Sequence, residues 1–176
     1  MSLLLTIGEI LSAQARLQPD RIGARDLERA MSFREWNDRA CRLANGLLGL
    51  GLGKGDRVAV FANNRVEWAE IYSAGAKTGL IAVPVNFRLT GPEARYIAED
   101  CQIAAVIAEE ALRELVEEFR NALALPEQRF MLIGNESRAG WTRYEALIAR
   151  ACISEPAVQV TPDDPWCLMY TSGTTG

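Results

Sequence analysis

RVAVFANNRVEWAEIYSAGAKTGLIAVPVN, residues 57–86, decides the fold. It opens on RVAVFA, a short apolar run rich in β-branched residues, which predicts a buried strand. NNRVEWAEIYSAGAKTG then predicts a helix, and LIAVPVN a second strand. Two continuous apolar strands joined by a helix cannot form a hairpin. They form a crossover unit of a parallel sheet, and such sheets bury both faces.

The same alternation continues downstream. GPEARYIAEDCQ predicts a helix with Pro92 in its first turn, and IAAVIA a third strand. EEALRELVEEFRNALAL predicts one strong helix, because Leu112, Leu115, Val116 and Phe119 share a face. RFMLIG predicts a fourth strand, WTRYEALIARA a short helix and WCLMY a last strand. Upstream, Ile7, Ile10, Leu11 and Leu17 fit one helical face before Pro19. RIGARD and RAMSF read as two short strands around Leu27 and Glu28. Ser32 and Glu35 form the S-x-x-E spacing of a capping box. Trp36, Ala40, Leu43, Leu47 and Leu50 then make an amphipathic helix, closed by Gly51, Gly53 and Gly55. The expected fold is α/β: a mostly parallel, doubly wound sheet with helices on both faces. One domain over 1–176 is expected, with 151–165 as a Pro-rich connector and 166–176 as strand plus loop.

Composition narrows the chemistry. The 176 residues carry 19 basic and 23 acidic side chains, a net charge of −4, with no basic block, so nucleic acid is not the expected partner. No histidine occurs, which removes Ser-His-Asp and Cys-His catalysis and every histidine metal ligand from within this chain. Cys41, Cys101, Cys152 and Cys167 are widely spaced, without a CxxC pair, and are expected as small core residues in a reducing compartment. The N-terminal apolar stretch lacks a basic flank and is interrupted by Glu9, so neither a signal peptide nor a membrane span is expected; the cytoplasm is the default.

The chemistry-bearing candidate is YTSGTTG, residues 170–176. Gly173 and Gly176 allow backbone N–H groups to converge on an anion. Thr171, Ser172, Thr174 and Thr175 add hydroxyl donors. Such a loop suits nucleotide phosphates, although it lacks the lysine of a P-loop. Composition alone would equally describe a flexible Ser/Thr/Gly tail.

MYTSGTTG resembles the start of the phosphate-loop signature of the acyl-adenylate-forming (AMP-binding) enzymes, which include the acyl-CoA synthetases. MSFREW, residues 31–36, and GAKTGLIAVPVN, residues 75–86, resemble two earlier elements of that family in the right order. The resemblance covers essentially the whole chain and is closest to a bacterial fatty-acid–CoA ligase. It implies ATP, Mg2+ and coenzyme A as cofactors, a small carboxylic acid as substrate, and a thioester as product. Thr171, Ser172, Gly173, Thr174, Thr175 and Gly176 would hold the β- and γ-phosphates, with Thr171 near the magnesium. It also implies that the chain is the N-terminal part of a synthetase's large domain, without the C-terminal domain and inactive alone. An adenylation domain loading a carrier protein and a non-catalytic interaction module are the alternatives, and a homodimer is compatible with either. Ser32 and Glu35, and likewise Gly79 and Pro84, read as structural. Arg88 reads as a solvated loop arginine, Trp68 and Tyr72 as packing residues, and Glu109, Glu110, Glu114, Glu117 and Glu118 as a solvated face.

Overall fold

The structure is a computed structural model that describes residues 5–171. In chain order its elements are α1 (Ile7–Leu17), β1 (Ile22–Arg25), β2 (Ala30–Ser32), α2 (Phe33–Gly49), β3 (Arg57–Phe61), α3 (Glu67–Thr78) and β4 (Ile81–Pro84). There follow α4 (Gly91–Asp100), β5 (Ala105–Glu109), α5 (Arg113–Glu117), β6 (Phe130–Ile133), β7 (Thr142–Arg143) and α6 (Tyr144–Arg150). β1 and β2 pair antiparallel, as the short run between RIGARD and RAMSF predicts. The remaining strands form one five-stranded sheet in the order β4-β3-β5-β6-β7. β3 pairs with β5, β5 with β6 and β6 with β7, all parallel. The α/β expectation from residues 57–86 therefore holds.

The contacts divide the described chain into two compact units. The first holds the chain up to Asp56 together with Asn64–Ile81 and Glu145–Trp166. The second holds Arg57–Asn63, Ala82–Tyr144 and the chain from Cys167. In the second unit Ala59, Phe61, Val83, Val106, Ala108, Phe130 and Leu132 of the sheet pack on Ala94, Ile97 and Ala98 of α4 and on Val116 and Phe119. The alternate strand residues Val58, Val60, Ala105, Ile107 and Met131 are buried as well. Burial of both alternating sets is what a covered parallel sheet requires.

The first unit holds the β1–β2 pair together with α1, α2 and α3. α2 buries Ala40, Cys41, Leu43, Ala44, Gly46 and Leu47, close to the predicted face. α3 ends at Gly79, whose φ of 71° is left-handed and whose N–H donates to the Gly75 carbonyl at 2.8 Å. That is the structural turn expected of Gly79. Trp68 stacks on Tyr72 at 5.3 Å, and Tyr72 meets Trp166 at 5.1 Å, so the pair packs rather than lining a pocket. Trp166 also donates its indole N–H to the Tyr72 carbonyl at 2.8 Å. Residues 151–165 are irregular and are fixed by side-chain bonds. Asn45 donates to the carbonyls of Cys152 and Ser154, and Lys54 pairs with Asp164.

Several sequence expectations are corrected. The helix predicted over 109–125 breaks into a 3-10 turn at Glu110–Leu112, the five-residue α5 and a second turn at Arg120–Ala122. Arg120 accounts for the break. Its guanidinium lies 4.2 Å from the centre of the Phe130 ring and 5.1 Å from that of Trp141, and it donates to the Gly140 carbonyl. A regular helix would not direct Arg120 and Phe119 into the same core. Glu109 is buried, not solvated, and Glu117 accepts from the Trp141 indole at 2.5 Å. Ser32 caps α2 by accepting from the Glu35 N–H, but Glu35 turns its carboxylate to Arg29 at 2.7 Å. Complete capping boxes stand instead at Thr6–Glu9 on α1 and Thr90–Glu93 on α4. Cys41 and Cys101 are core residues, whereas Cys152 is exposed and Cys167 half-buried.

Carboxylates make the fold acid-sensitive. Asp26 is held below the ordinary carboxylate range by the N–H groups of Arg29, Glu28 and Val66. Burial alone would raise Glu155, but bonds from Lys77 and Ser12 outweigh it and lower its pKa. Glu67 is lowered in the same way, Arg65 outweighing burial. Folded pKa values below the unfolded ones stabilise at neutral pH, and that contribution is lost as protons bind. Thermal melts followed by circular dichroism are expected to show a flat Tm near neutrality and a fall below about pH 5.

Candidate functional site

Of the predicted loop, Thr171 is described and exposed. Ser172, Gly173, Thr174, Thr175 and Gly176 lie outside the described residues. The approach to the loop is well defined. The strand expected over 166–170 is reduced to one parallel bridge, Cys167 to Ala82, with the Leu168 N–H donating to the Ala82 carbonyl at 2.9 Å. Leu168 and Met169 are exposed. Tyr170 is anchored at its far end: its ring packs on the core of the second unit and its hydroxyl donates to the Asp100 carboxylate at the end of α4. Partial burial and that bond push the phenol pKa well above its usual value.

Beside this anchor lies a concavity of about 390 Å³, lined by Leu89, Pro92, Glu93, Tyr96, Ile97, Tyr170 and Thr171. Its wall is mainly apolar and holds no lysine or arginine. Glu93 is committed to the Thr90 cap at 2.8 Å. This wall can bury an apolar group next to Thr171, but it supplies no cation for phosphate. Thr171 offers one hydroxyl, and no group of three or more metal-binding side chains occurs among the described residues.

In an open parallel sheet, ligands bind where neighbouring connections leave in opposite directions, outside the carboxyl ends of the strands. Here that point lies between β3 and β5, since β4 flanks β3 on one side and β5 on the other. Asn63, two residues past β3, donates to the carboxylate of Glu109, the last residue of β5. Sequence reading missed this pair. Its only signal was the placement of both residues directly after buried apolar strands. Arg88 is exposed, 5.5 Å from the centre of the Phe87 ring, as a solvated loop arginine should be.

A second concavity, about 500 Å³, belongs to the first unit and is lined in part by Ser12, Arg16, Lys77, Glu155, Val158 and Val160. Lys77, from the GAKTGLIAVPVN element, is buried there. Its ammonium donates to Glu155 at 2.8 Å and to Ser12 at 2.6 Å. That ion pair lies inside the unit and ties the connector to α1 and α3. Among the described residues, no helix is long and apolar enough to cross a membrane.

With this geometry in hand, the comparisons with known proteins are specific. The family model described as AMP-binding enzyme matches residues 11–176. The long-chain-fatty-acid–CoA ligase FadD13 of Mycobacterium tuberculosis is 37% identical over 146 residues, covering 83% of this chain and 28% of that protein. The fatty acid–[acyl-carrier-protein] ligase ScoC of Streptomyces coeruleorubidus is 32% identical over 174 residues, covering 98% of this chain and 32% of that protein. The crystal structure of the anthranilate CoA ligase AuaEII with anthranoyl-AMP superposes with a TM-score of 0.92 at 28% identity, covering 100% of this chain and 34% of that one. The chain thus spans about a third of the length of the relatives it matches.

Proposed function

This chain belongs to the AMP-binding enzyme family, and on that premise we propose that the full-length protein is an ATP-dependent acyl-CoA synthetase. A carboxylate oxygen attacks the α-phosphorus of ATP, and the bond to the bridging oxygen of pyrophosphate breaks. The product is an acyl-adenylate. The sulfur of coenzyme A then attacks the acyl carbonyl, its proton passes to solvent, and the C–O bond to AMP breaks. Displacement at phosphorus demands positioning and charge neutralisation more than covalent participation. In this reading the backbone and hydroxyl groups of Thr171–Gly176 hold the β- and γ-phosphates. Magnesium would arrive with ATP, and Thr171 would stand near it.

The observation that carries the reading is the family match through residue 176, which includes the glycine- and hydroxyl-rich loop. A fatty acid is the proposed substrate, supported by the likeness to FadD13. Acyl transfer to a carrier protein is the second reading, favoured by the likeness to ScoC. We take the enzyme to be cytoplasmic, and the 176 residues alone to form no thioester. The exposed Ile7, Ile10 and Leu17 of α1 support a homodimer, which light scattering would test.

The test uses the full-length protein with ATP, magnesium and a panel of carboxylic acids, trapping acyl-adenylate with hydroxylamine. Hydroxamate formed with fatty acids, and thioester formed on adding coenzyme A, are the expected results. Hydroxamate without thioester, followed by transfer to a carrier protein, would favour the second reading. No hydroxamate with any acid would overturn both.

A further inference from the structure

Tyr170 stands directly before the hydroxyl- and glycine-rich loop, and its contacts are of two kinds. The ring packs against the apolar core of the second unit. The hydroxyl does something packing does not require: it reaches out to Asp100, an exposed carboxylate 70 residues away in sequence. A phenylalanine would bury the same ring without meeting a carboxylate. The oxygen therefore serves a connection, and a phenol–carboxylate bond is directional and stronger than a neutral one.

The connection comes at a particular place. Two residues earlier, the Leu168 N–H is bound to the Ala82 carbonyl at 2.9 Å, at the first residue of the second unit's part of β4. Between these anchors only the exposed Met169 intervenes. The backbone is thus fixed at β4 by a main-chain bond and at the end of α4 by a side-chain bond, and Thr171 begins immediately afterwards. Asp100 itself closes α4, whose first turn is set by the Thr90–Glu93 capping box. Both ends of that helix are held, so the carboxylate is a firm attachment point.

We propose that Tyr170 is a positioning residue for nucleotide binding, its hydroxyl tethered to Asp100 so that the chain is held in place as it reaches Thr171. The proposal rests on the reading of 171–176 as an ATP-phosphate loop. Its chemistry follows from preorganisation. Small misplacements of groups that must converge on a ligand cost large factors in rate, up to about a hundredfold for 1 Å. Loss of the tether therefore weakens ATP binding while leaving the carboxylic acid's binding unchanged.

The test is made in the full-length protein by titrating a fluorescent ATP analogue and measuring KM for ATP and for the acid separately. Tyr170→Phe and Asp100→Ala are expected to weaken nucleotide binding and raise the ATP KM roughly tenfold, with the acid KM unchanged. Asp100→Asn keeps an oxygen that accepts from the phenol and is expected to restore most of the affinity. Folded variants with unchanged ATP affinity would overturn the tether. So would an equal rise in both KM values, or failure of all three variants to fold, since either assigns the bond to stability alone. A wild-type protein that binds no nucleotide would overturn the underlying loop reading instead, and the tether with it.

Discussion

Replacing Arg39 by alanine is expected to destabilise the protein by about 3–5 kcal/mol, the usual cost of removing one partner from a buried ion pair. Arg39 on α2 faces two carboxylates at once. Its guanidinium grips Glu70 of α3 at 2.6 and 3.1 Å and Glu145 of α6 at 2.6 and 3.0 Å. Burial alone would lower the arginine's pKa; the two carboxylates more than reverse this. Glu70 is wholly inaccessible, and Arg29 lies 3.7 Å from its carboxylate. Removing the guanidinium leaves that carboxylate without its bidentate partner in a site that water does not reach. Arg39→Lys supplies charge but not the planar fork, so it should recover only part of the loss. Urea unfolding of the two variants against the wild type would measure it. A loss below about 1 kcal/mol for the alanine variant would mean that the network behaves as a surface one.

The second large effect is expected at Phe61. It is the last residue of β3, wholly buried, with its ring 6.0 Å from that of Phe119. Phe61→Ala should cost about 3–5 kcal/mol, because the lost transfer energy adds to the cavity left in a close-packed sheet face. Phe61→Leu should cost much less, as most of the volume is retained. Denaturant midpoints at an unchanged slope would establish that stability alone has moved. Equal costs for the two variants would show that the ring, and not its volume, holds the site.

The fold was legible where hydrophobic pattern and local geometry agree. RVAVFA, IAAVIA and RFMLIG are continuous apolar runs, and all three are adjacent strands of the sheet. β7 was not legible: Thr142–Arg143 is a two-residue strand with a polar, charged sequence, and it exists by pairing with Met131 and Leu132. The 109–125 segment shows the opposite failure. Leu112, Leu115, Val116 and Phe119 satisfy helical periodicity, yet the tertiary demand of Arg120 for Phe130, Trp141 and the Gly140 carbonyl ends the helix early. Ser32–Glu35 had capping-box spacing, but spacing cannot reveal that Arg29 competes for the glutamate. Thr6–Glu9 and Thr90–Glu93 have that spacing too and form complete boxes.

The candidate site divides in the same way. The loop at 171–176 is proposed from its glycines and hydroxyls together with the family resemblance, because such chemistry is local in sequence; of its residues the structure describes Thr171. The tether from Tyr170 to Asp100 and the bond from Asn63 to Glu109 could not. Each joins residues tens of positions apart, brought together only once the parallel sheet sets the register of its strands. Lys77 makes the same point: in sequence it is part of a family-like element, and in space it is the buried partner of Glu155 and Ser12.

The central claim, that this chain carries the start of an ATP-phosphate loop in a carboxylate-activating enzyme, is tested most directly by isotope exchange between pyrophosphate and ATP in the full-length protein. Exchange is expected to need ATP and a carboxylic acid and to proceed without coenzyme A, since adenylation precedes thiol attack. Failure of every acid in a broad aliphatic and aromatic panel to support exchange would contradict it.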